Sequence, residues 1–145
     1  FDGAEQKEGL LEADADVLVP AALENAVTKG NADKVKAKTI VELANGPVTD
    51  EADDALAEKG VDVLPDILCN AGGVTVSYFE WAQNRQGMAW TEEQVLERLG
   101  RKMSTAFKTL NSSPLMKVKG MTYRAAAYGY AFKRVLTAER FRGRI

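Results

Sequence analysis

The sequence predicts an α/β fold: about three parallel strands with crossover helices, followed by a helical C-terminal segment. Three observations lead there. Short apolar runs begin near positions 17, 39 and 61, which leaves between them the dozen or more residues that a parallel connection needs. Each run then gives way to small residues and an asparagine: Ala21-Ala22-Leu23-Glu24-Asn25, Ala44-Asn45-Gly46 and Cys69-Asn70-Ala71-Gly72. Beyond residue 90, apolar positions recur with helical spacing.

Composition bounds the function. The chain has 145 residues, the size of one domain with a real core, and its 46% hydrophobic and 28% charged residues are ordinary for a soluble globular protein. A net charge of -2 gives no support for nucleic acid or an anionic membrane surface as partner. No apolar stretch approaches the roughly 20 residues that span a bilayer, and no basic-then-apolar start reads as a signal peptide. The single cysteine, Cys69, excludes an intrachain disulfide framework and fits a reducing, cytoplasmic setting. With no histidine, neither a zinc site nor a Ser-His or Cys-His nucleophile is expected.

Taken in order, residues 8–12 read as a helical lead. Residues 17–21 form the first strand, and residues 23–38 a crossover helix that Gly30 interrupts. The second strand covers residues 39–43. Thr49 then caps an acidic helix that ends at Gly60, where a C-terminal glycine stop belongs. The third strand covers residues 61–64, and Pro65 puts it at an edge or ends it early. In a parallel sheet Asn25, Asn45 and Asn70 share one rim. Amides offer donor and acceptor without charge, which suits the sugar hydroxyls and carboxamide of a dinucleotide. A single asparagine is better read as a turn or cap residue; three at equivalent places favour the ligand.

The chain centres on PDILCNAGGVTVSYFEW, from Pro65 to Trp81. Gly72 and Gly73 let a ligand approach the backbone closely, and α/β sheets bind ligands beyond the carboxyl ends of their strands. On pattern alone, a plain Gly-Gly loop between two core elements ranks equally. Residues 74–79 alternate like a strand, although Val74, Ser77, Tyr78 and Trp81 share a helical face; periodicity favours the strand. Thr91-Glu92-Glu93-Gln94 is a capping box. It opens a helix whose stripe of Val95, Leu96, Leu99, Met103, Ala106, Phe107 and Leu110 reads as ordinary core packing. Asn111-Ser112-Ser113-Pro114 ends it. Thr122 caps a last helix with Ala125, Tyr128, Phe132, Val135 and Leu136 on one side and a cationic end.

The blocks DADVLVPAALEN, VELANGPVTDEAD, PDILCNAGGVTVSYFEWAQN and YRAAAYGYAFKRV resemble successive segments of the glutamate dehydrogenases. The likeness runs essentially end to end. The leucine, phenylalanine and valine dehydrogenases share the NAGG turn, but ANGPVT and VSYFEWAQN resemble the glutamate branch more closely. The resemblance implies a helix over residues 74–79 and hydride transfer between L-glutamate and NAD or NADP, giving 2-oxoglutarate and ammonia. It implies that Ala21, Ala22, Asn25 and Asn45 face the cofactor, with Asn70, Gly72 and Gly73 near the nicotinamide. Ser77, with Val74 beside it, is implied to line the pocket for the substrate's side-chain carboxylate. The residues alone favour a Ser77 hydroxyl bonded to its own helix backbone.

The departures from that family are large. There is no G-x-G-x-x-G, so the first half of a Rossmann-like nucleotide-binding domain is not here. Nor is the substrate domain with the family's catalytic lysine and aspartate, whose motif Lys29, Lys34, Lys36 and Lys38 do not match. The chain resembles the second half of the cofactor domain plus closing helices, with no catalytic residue of its own, and is not expected to turn over glutamate alone. The alternatives are a related branched-chain or aromatic amino-acid dehydrogenase, or a stand-alone, non-catalytic half-Rossmann module. Phe1 in place of a methionine favours an enzyme portion. A sheet cut in the middle leaves an edge and helix faces uncovered, so a homo-oligomer is expected.

Overall fold

The computed structural model describes residues 9–145, and the chain divides after Val63 into two compact units. β1 (Val17–Leu18), β2 (Thr39–Val41) and β3 (Asp62–Leu64) form a parallel sheet in the order β1-β2-β3, all of it but Leu64 belonging to the first unit. Val17 pairs with Thr39 and Leu18 with Ile40. The strands are shorter than the apolar runs. Beyond Leu18 the chain reaches Pro20, which has no N–H to donate; its carbonyl accepts from the amides of Leu43 and Ala44 at 3.1 and 3.0 Å. The helix α1 (Asp50–Glu58) leads to β3. Thr49 Oγ1 accepts from the Ala52 amide, and Gly60 takes φ +77° beyond the last turn, as the sequence anticipates.

The first crossover differs from expectation. Residues 23–38 hold one 3-10 turn, Ala32–Lys34, and no α-helix. The physical reason is that other partners compete successfully for its backbone. Val27 forms a parallel bridge to Val48. Asn31 closes a local turn, its Oδ1 accepting from the Thr28 amide at 2.7 Å and its Nδ2 donating to the Ala26 carbonyl at 3.0 Å. Lys59 Nζ, from just beyond α1, donates to the carbonyls of Ala32, Asp33 and Val35 at 3.1, 2.7 and 3.0 Å. The segment nevertheless does a helix's packing work. Val27, Ala32, Val35 and Ala37 join Ile40, Val48, Ala52, Leu56 and Val63 in the buried core. Of the expected helical lead, Leu10–Glu12 is a 3-10 turn and Glu8 lies outside the described residues.

The second unit is helical: α2 (Asp66–Cys69), α3 (Ala71–Gln86), α4 (Glu92–Asn111), a 3-10 turn Pro114–Lys117 and α5 (Tyr123–Phe141). Residues 74–79 lie inside α3, against their alternating pattern. Helical spacing buries Phe79 there, against Trp90 at a ring separation of 5.6 Å, and Gly87 (φ +65°) stops the helix. The Thr91 box has both of its bonds, and Thr122 Oγ1 accepts from the Ala125 amide. One expectation of core packing fails: of the α4 stripe only Leu110 is buried, while Leu96 and Phe107 are exposed. In α5, Ala126 and Ala127 are buried, and the face with Tyr128, Phe132, Val135 and Leu136 is exposed. The small residues win because they admit close approach to Leu68, Leu115, Met121 and Tyr123. No helix of the described residues is long and apolar enough to cross a membrane.

Replacing Lys59 by methionine keeps the aliphatic stem and removes three charge-assisted hydrogen bonds. Such bonds contribute about 1.5–3 kcal/mol when shielded. The head group is partly solvated here, so Lys59→Met is expected to lower the unfolding free energy by about 1–2 kcal/mol. Urea denaturation of the chain reads this; an unchanged midpoint would mean that water replaces the ammonium without loss.

Candidate functional site

The sequence-predicted residues of the first unit lie on two turns that follow β1 and β2, and the backbone staples those turns together. The Asn25 amide donates to the Gly46 carbonyl at 2.9 Å, Val27 to Pro47 at 2.8 Å, and Thr49 to Val27 at 3.0 Å. The staple holds Asn25 at φ +53°, the one non-glycine residue with positive φ among those described. Asparagine tolerates that left-handed conformation better than most residues. Gly46 has the same φ, and a Cβ built on it meets nothing within 4 Å. Ala21, Ala22, Asn25 and Asn45 are all exposed. The result is a rim of small side chains and neutral amides on a fixed backbone, open on its outer side.

Glu42 underlies the second turn, and sequence reasoning passed over it. Its side chain is fully buried, and Oε1 accepts from the Val48 amide at 3.3 Å. The signal was available in the alternation of the strand, which turns Ile40, Glu42 and Ala44 inward together. A carboxylate in that row must find donors, and the Gly46-Pro47-Val48 turn supplies one.

The remaining predicted residues form one continuous piece of the second unit. Asn70, half-buried, joins α2 to α3. A Cβ on Gly72 would lie 3.9 Å from Leu99 of α4, in ordinary contact, whereas one on Gly73 meets nothing within 4 Å. Val74 is 70% exposed, and Ser77 lies one turn further on, also exposed. The Ser77 hydroxyl donates to the Gly73 carbonyl at 3.2 Å, as its residue type alone suggested. Tyr78 and Trp81 continue the same outward face, their rings 5.7 Å apart. Asp66 and Arg124, also unforeseen, approach to 3.9 Å with both side chains largely buried, linking α2 to α5.

A model of the family "Glutamate/Leucine/Phenylalanine/Valine dehydrogenase" matches residues 2–143. The NAD-specific glutamate dehydrogenase of Staphylococcus aureus (strain COL) is 47% identical over 143 residues, which are 99% of this chain and 34% of that protein. The crystal structure of glutamate dehydrogenase from Peptoniphilus asaccharolyticus superposes with a TM-score of 0.81 at 44% identity, covering 88% of this chain and 32% of that one. The hetero-hexameric glutamate dehydrogenase from Thermus thermophilus, in its Leu-bound form, gives 0.84 at 33% identity, covering 91% and 31%. The chain spans about a third of the length of the relatives it matches.

Two substitutions at position 25 separate its backbone role from its side-chain role. Asn25→Ala forces a Cβ-bearing residue without a local polar side chain into φ +53° and is expected to destabilise the chain by about 1 kcal/mol. Asn25→Gly relieves the conformation and should stay within about 0.5 kcal/mol of the parent in urea unfolding. An equal loss in both would assign the position's importance to the amide.

Proposed function

The chain belongs to the glutamate/leucine/phenylalanine/valine dehydrogenase family, and we propose that it is the closing part of the cofactor domain of a glutamate dehydrogenase. That enzyme carries out the NAD-dependent oxidative deamination of L-glutamate to 2-oxoglutarate and ammonia, and the reverse. The observation that carries this reading is the 47% identity to an NAD-specific glutamate dehydrogenase across 143 residues. NADP presents the same nicotinamide and ribose groups to this part of the domain. With Cys69 as a lone thiol, the cytoplasm suits the protein.

The residues fit a dinucleotide. Its ribose hydroxyls and carboxamide are neutral donors and acceptors, and the exposed amides of Asn25 and Asn45 match them in kind. The stapled turns keep those amides from collapsing, and the open space over Gly46 leaves room for the ligand. Asn70 with Gly72 and Gly73 takes the nicotinamide end. A nicotinamide held there would supply the hydride acceptor. This chain supplies no proton-transfer group to that step; its role is to bind and orient. Val74 and Ser77 face the substrate's side chain, and the Ser77 hydroxyl turns from the Gly73 carbonyl to the distal carboxylate. The catalytic residues belong to the rest of the enzyme, so the chain alone is inactive. Its uncovered apolar side chains on α3 and α5 are used in assembly, within the protomer and between copies.

In the full-length enzyme, Ser77→Ala is expected to lower kcat/KM for glutamate. A hydrogen bond to a charged group contributes about 1.5–3 kcal/mol, against about 1 for the backbone bond given up. The net effect is about 0.5–2 kcal/mol, or roughly two- to thirtyfold. Cofactor affinity should hold, and norvaline, which lacks the carboxylate, should lose less. A weaker cofactor with an unchanged glutamate-to-norvaline preference would move Ser77 out of the substrate pocket. An enzyme inactive on glutamate before any substitution would reject the reading as a whole.

A further inference from the structure

The turn after β2 carries the one Asn-Gly pair of the sequence, Asn45-Gly46. Asn25, Asn31, Asn70, Asn84 and Asn111 are followed by alanine, arginine or serine instead. The difference is chemical. A backbone amide nitrogen can attack the side-chain carbonyl carbon of the asparagine before it and close a cyclic imide. A side chain on the attacking residue obstructs that approach, and glycine has no Cβ to do so. Asn45 is exposed, in a bend that belongs to neither helix nor strand. Gly46 has φ +53°, and the place where its Cβ would stand has no atom within 4 Å.

The other asparagines are placed less favourably for this reaction. Asn84 lies within α3 and Asn111 ends α4, and a helical backbone holds the next nitrogen away from the side-chain carbon. Asn25, exposed on the neighbouring turn, is followed by Ala26 and its Cβ. The surroundings of Asn45 also make a change there consequential. The Gly46 carbonyl accepts from the Asn25 amide at 2.9 Å, and the Pro47 carbonyl from the Val27 amide at 2.8 Å. Both bonds staple the two turns together, with Glu42 buried beneath the second.

We propose that Asn45 is a self-modifying site in the folded chain, deamidated by the Gly46 nitrogen, and that its isoaspartyl product loosens the staple. The Gly46 nitrogen gives up its proton to solvent and bonds to Cγ of Asn45. The Cγ–Nδ2 bond breaks, and the leaving nitrogen takes up a proton and departs as ammonia. Water then opens the imide. Breaking the new bond gives aspartate, whereas breaking the original peptide bond gives isoaspartate, whose main chain runs through Cβ and is one atom longer. Either product adds one negative charge to a chain of net charge -2. In isoaspartate the extra atom stands directly before Gly46, whose carbonyl the staple holds. The rim of neutral amides also becomes anionic, which repels a phosphate-bearing ligand. That last consequence rests on the cofactor reading of the rim; the chemistry at Asn45 does not.

The folded 145-residue chain, incubated at neutral to weakly alkaline pH, should accumulate a more acidic form on isoelectric focusing. Its mass should rise by the difference between a hydroxyl and an amino group. Peptide mapping should place the change on Asn45, with isoaspartate among the products. The rate should climb with pH, because the attacking nitrogen must lose its proton. Asn45→Gln keeps the amide but needs a larger ring; the acidic form should be lost over the same period, with far-UV circular dichroism unchanged. The isolated isoaspartyl form should unfold at a lower urea concentration than the parent. The proposal is overturned if the folded chain stays unconverted while the chain in urea converts, since the staple would then hold Asn45 out of reach. Conversion of another asparagine first, or aspartate with no isoaspartate, would also overturn it. So would an isoaspartyl form as stable as the parent.

Discussion

Two parallel strands must be joined by a crossover, and the one between β1 and β2 has no α-helix to satisfy its own backbone. The crossover sends Val27, Ala32, Val35 and Ala37 into the core, and the backbone groups carried in with them must find partners elsewhere. Two outside groups and one side chain of its own provide them: the Lys59 ammonium, the Val48 edge and the amide of Asn31. Because Lys59 stands just past the C-terminal end of α1, the position of that helix and the path of the crossover are set together. The same economy of partners fixes the two turns. Val27 is shared, bridging to Val48 on one side and filling the core on the other. Asn25, two residues earlier, therefore has little freedom left, and its left-handed backbone follows from the pairing on either side of it.

The second unit is governed by a different constraint. A helix with apolar residues on more than one side can bury only the side that its neighbours reach. In α5 the neighbours reach Ala126 and Ala127, whose small size brings the helices close. Tyr128, Phe132, Val135 and Leu136 are left in water, as are Val74, Tyr78 and Trp81 on α3. Fully burying such a side chain is worth about 1.5–3 kcal/mol each. Two helix faces of this kind therefore hold a large unused driving force. In a chain spanning a third of its relatives' length, that is the expected mark of surface meant for other parts of an enzyme.

Much of this was legible in the sequence, and what was not has identifiable causes. Spacing and end residues located three parallel strands, and cap chemistry at Thr49, Thr91 and Thr122 located the starts of three helices to the residue. These features are local, so a local reading suffices. The crossover was misread because its α-like composition was outweighed by a lysine more than twenty residues away. Residues 74–79 alternate as a strand does, and only the resemblance turned the reading to a helix; burial of Phe79 against Trp90 depends on a segment that periodicity does not see. The apolar stripe of α4 was found correctly but assigned to the core, since hydrophobicity says what a face prefers and not whether a partner is there. Glu42 stood at an inward strand position in plain view, but its importance rests on the turn that folds back over it.

The rim of the first unit and the Ser77 face of the second differ in how fixed their polar groups are. At the rim, backbone hydrogen bonds already fix Asn25 and Gly46, so the strain of the left-handed residue is met by folding rather than by binding. Ser77 is prepared in another way. Its hydroxyl rests on the Gly73 carbonyl, which keeps the helix surface satisfied until a better acceptor arrives. Rotation about one side-chain bond releases it, on a part of α3 where both Gly73 and Ser77 are exposed. A carboxylate is a stronger acceptor than a neutral carbonyl by roughly a factor of two, so the exchange favours an anionic side chain and gives an apolar one nothing. Selectivity would then come from a hydroxyl that is already bonded, because only a charged partner makes leaving that bond worthwhile.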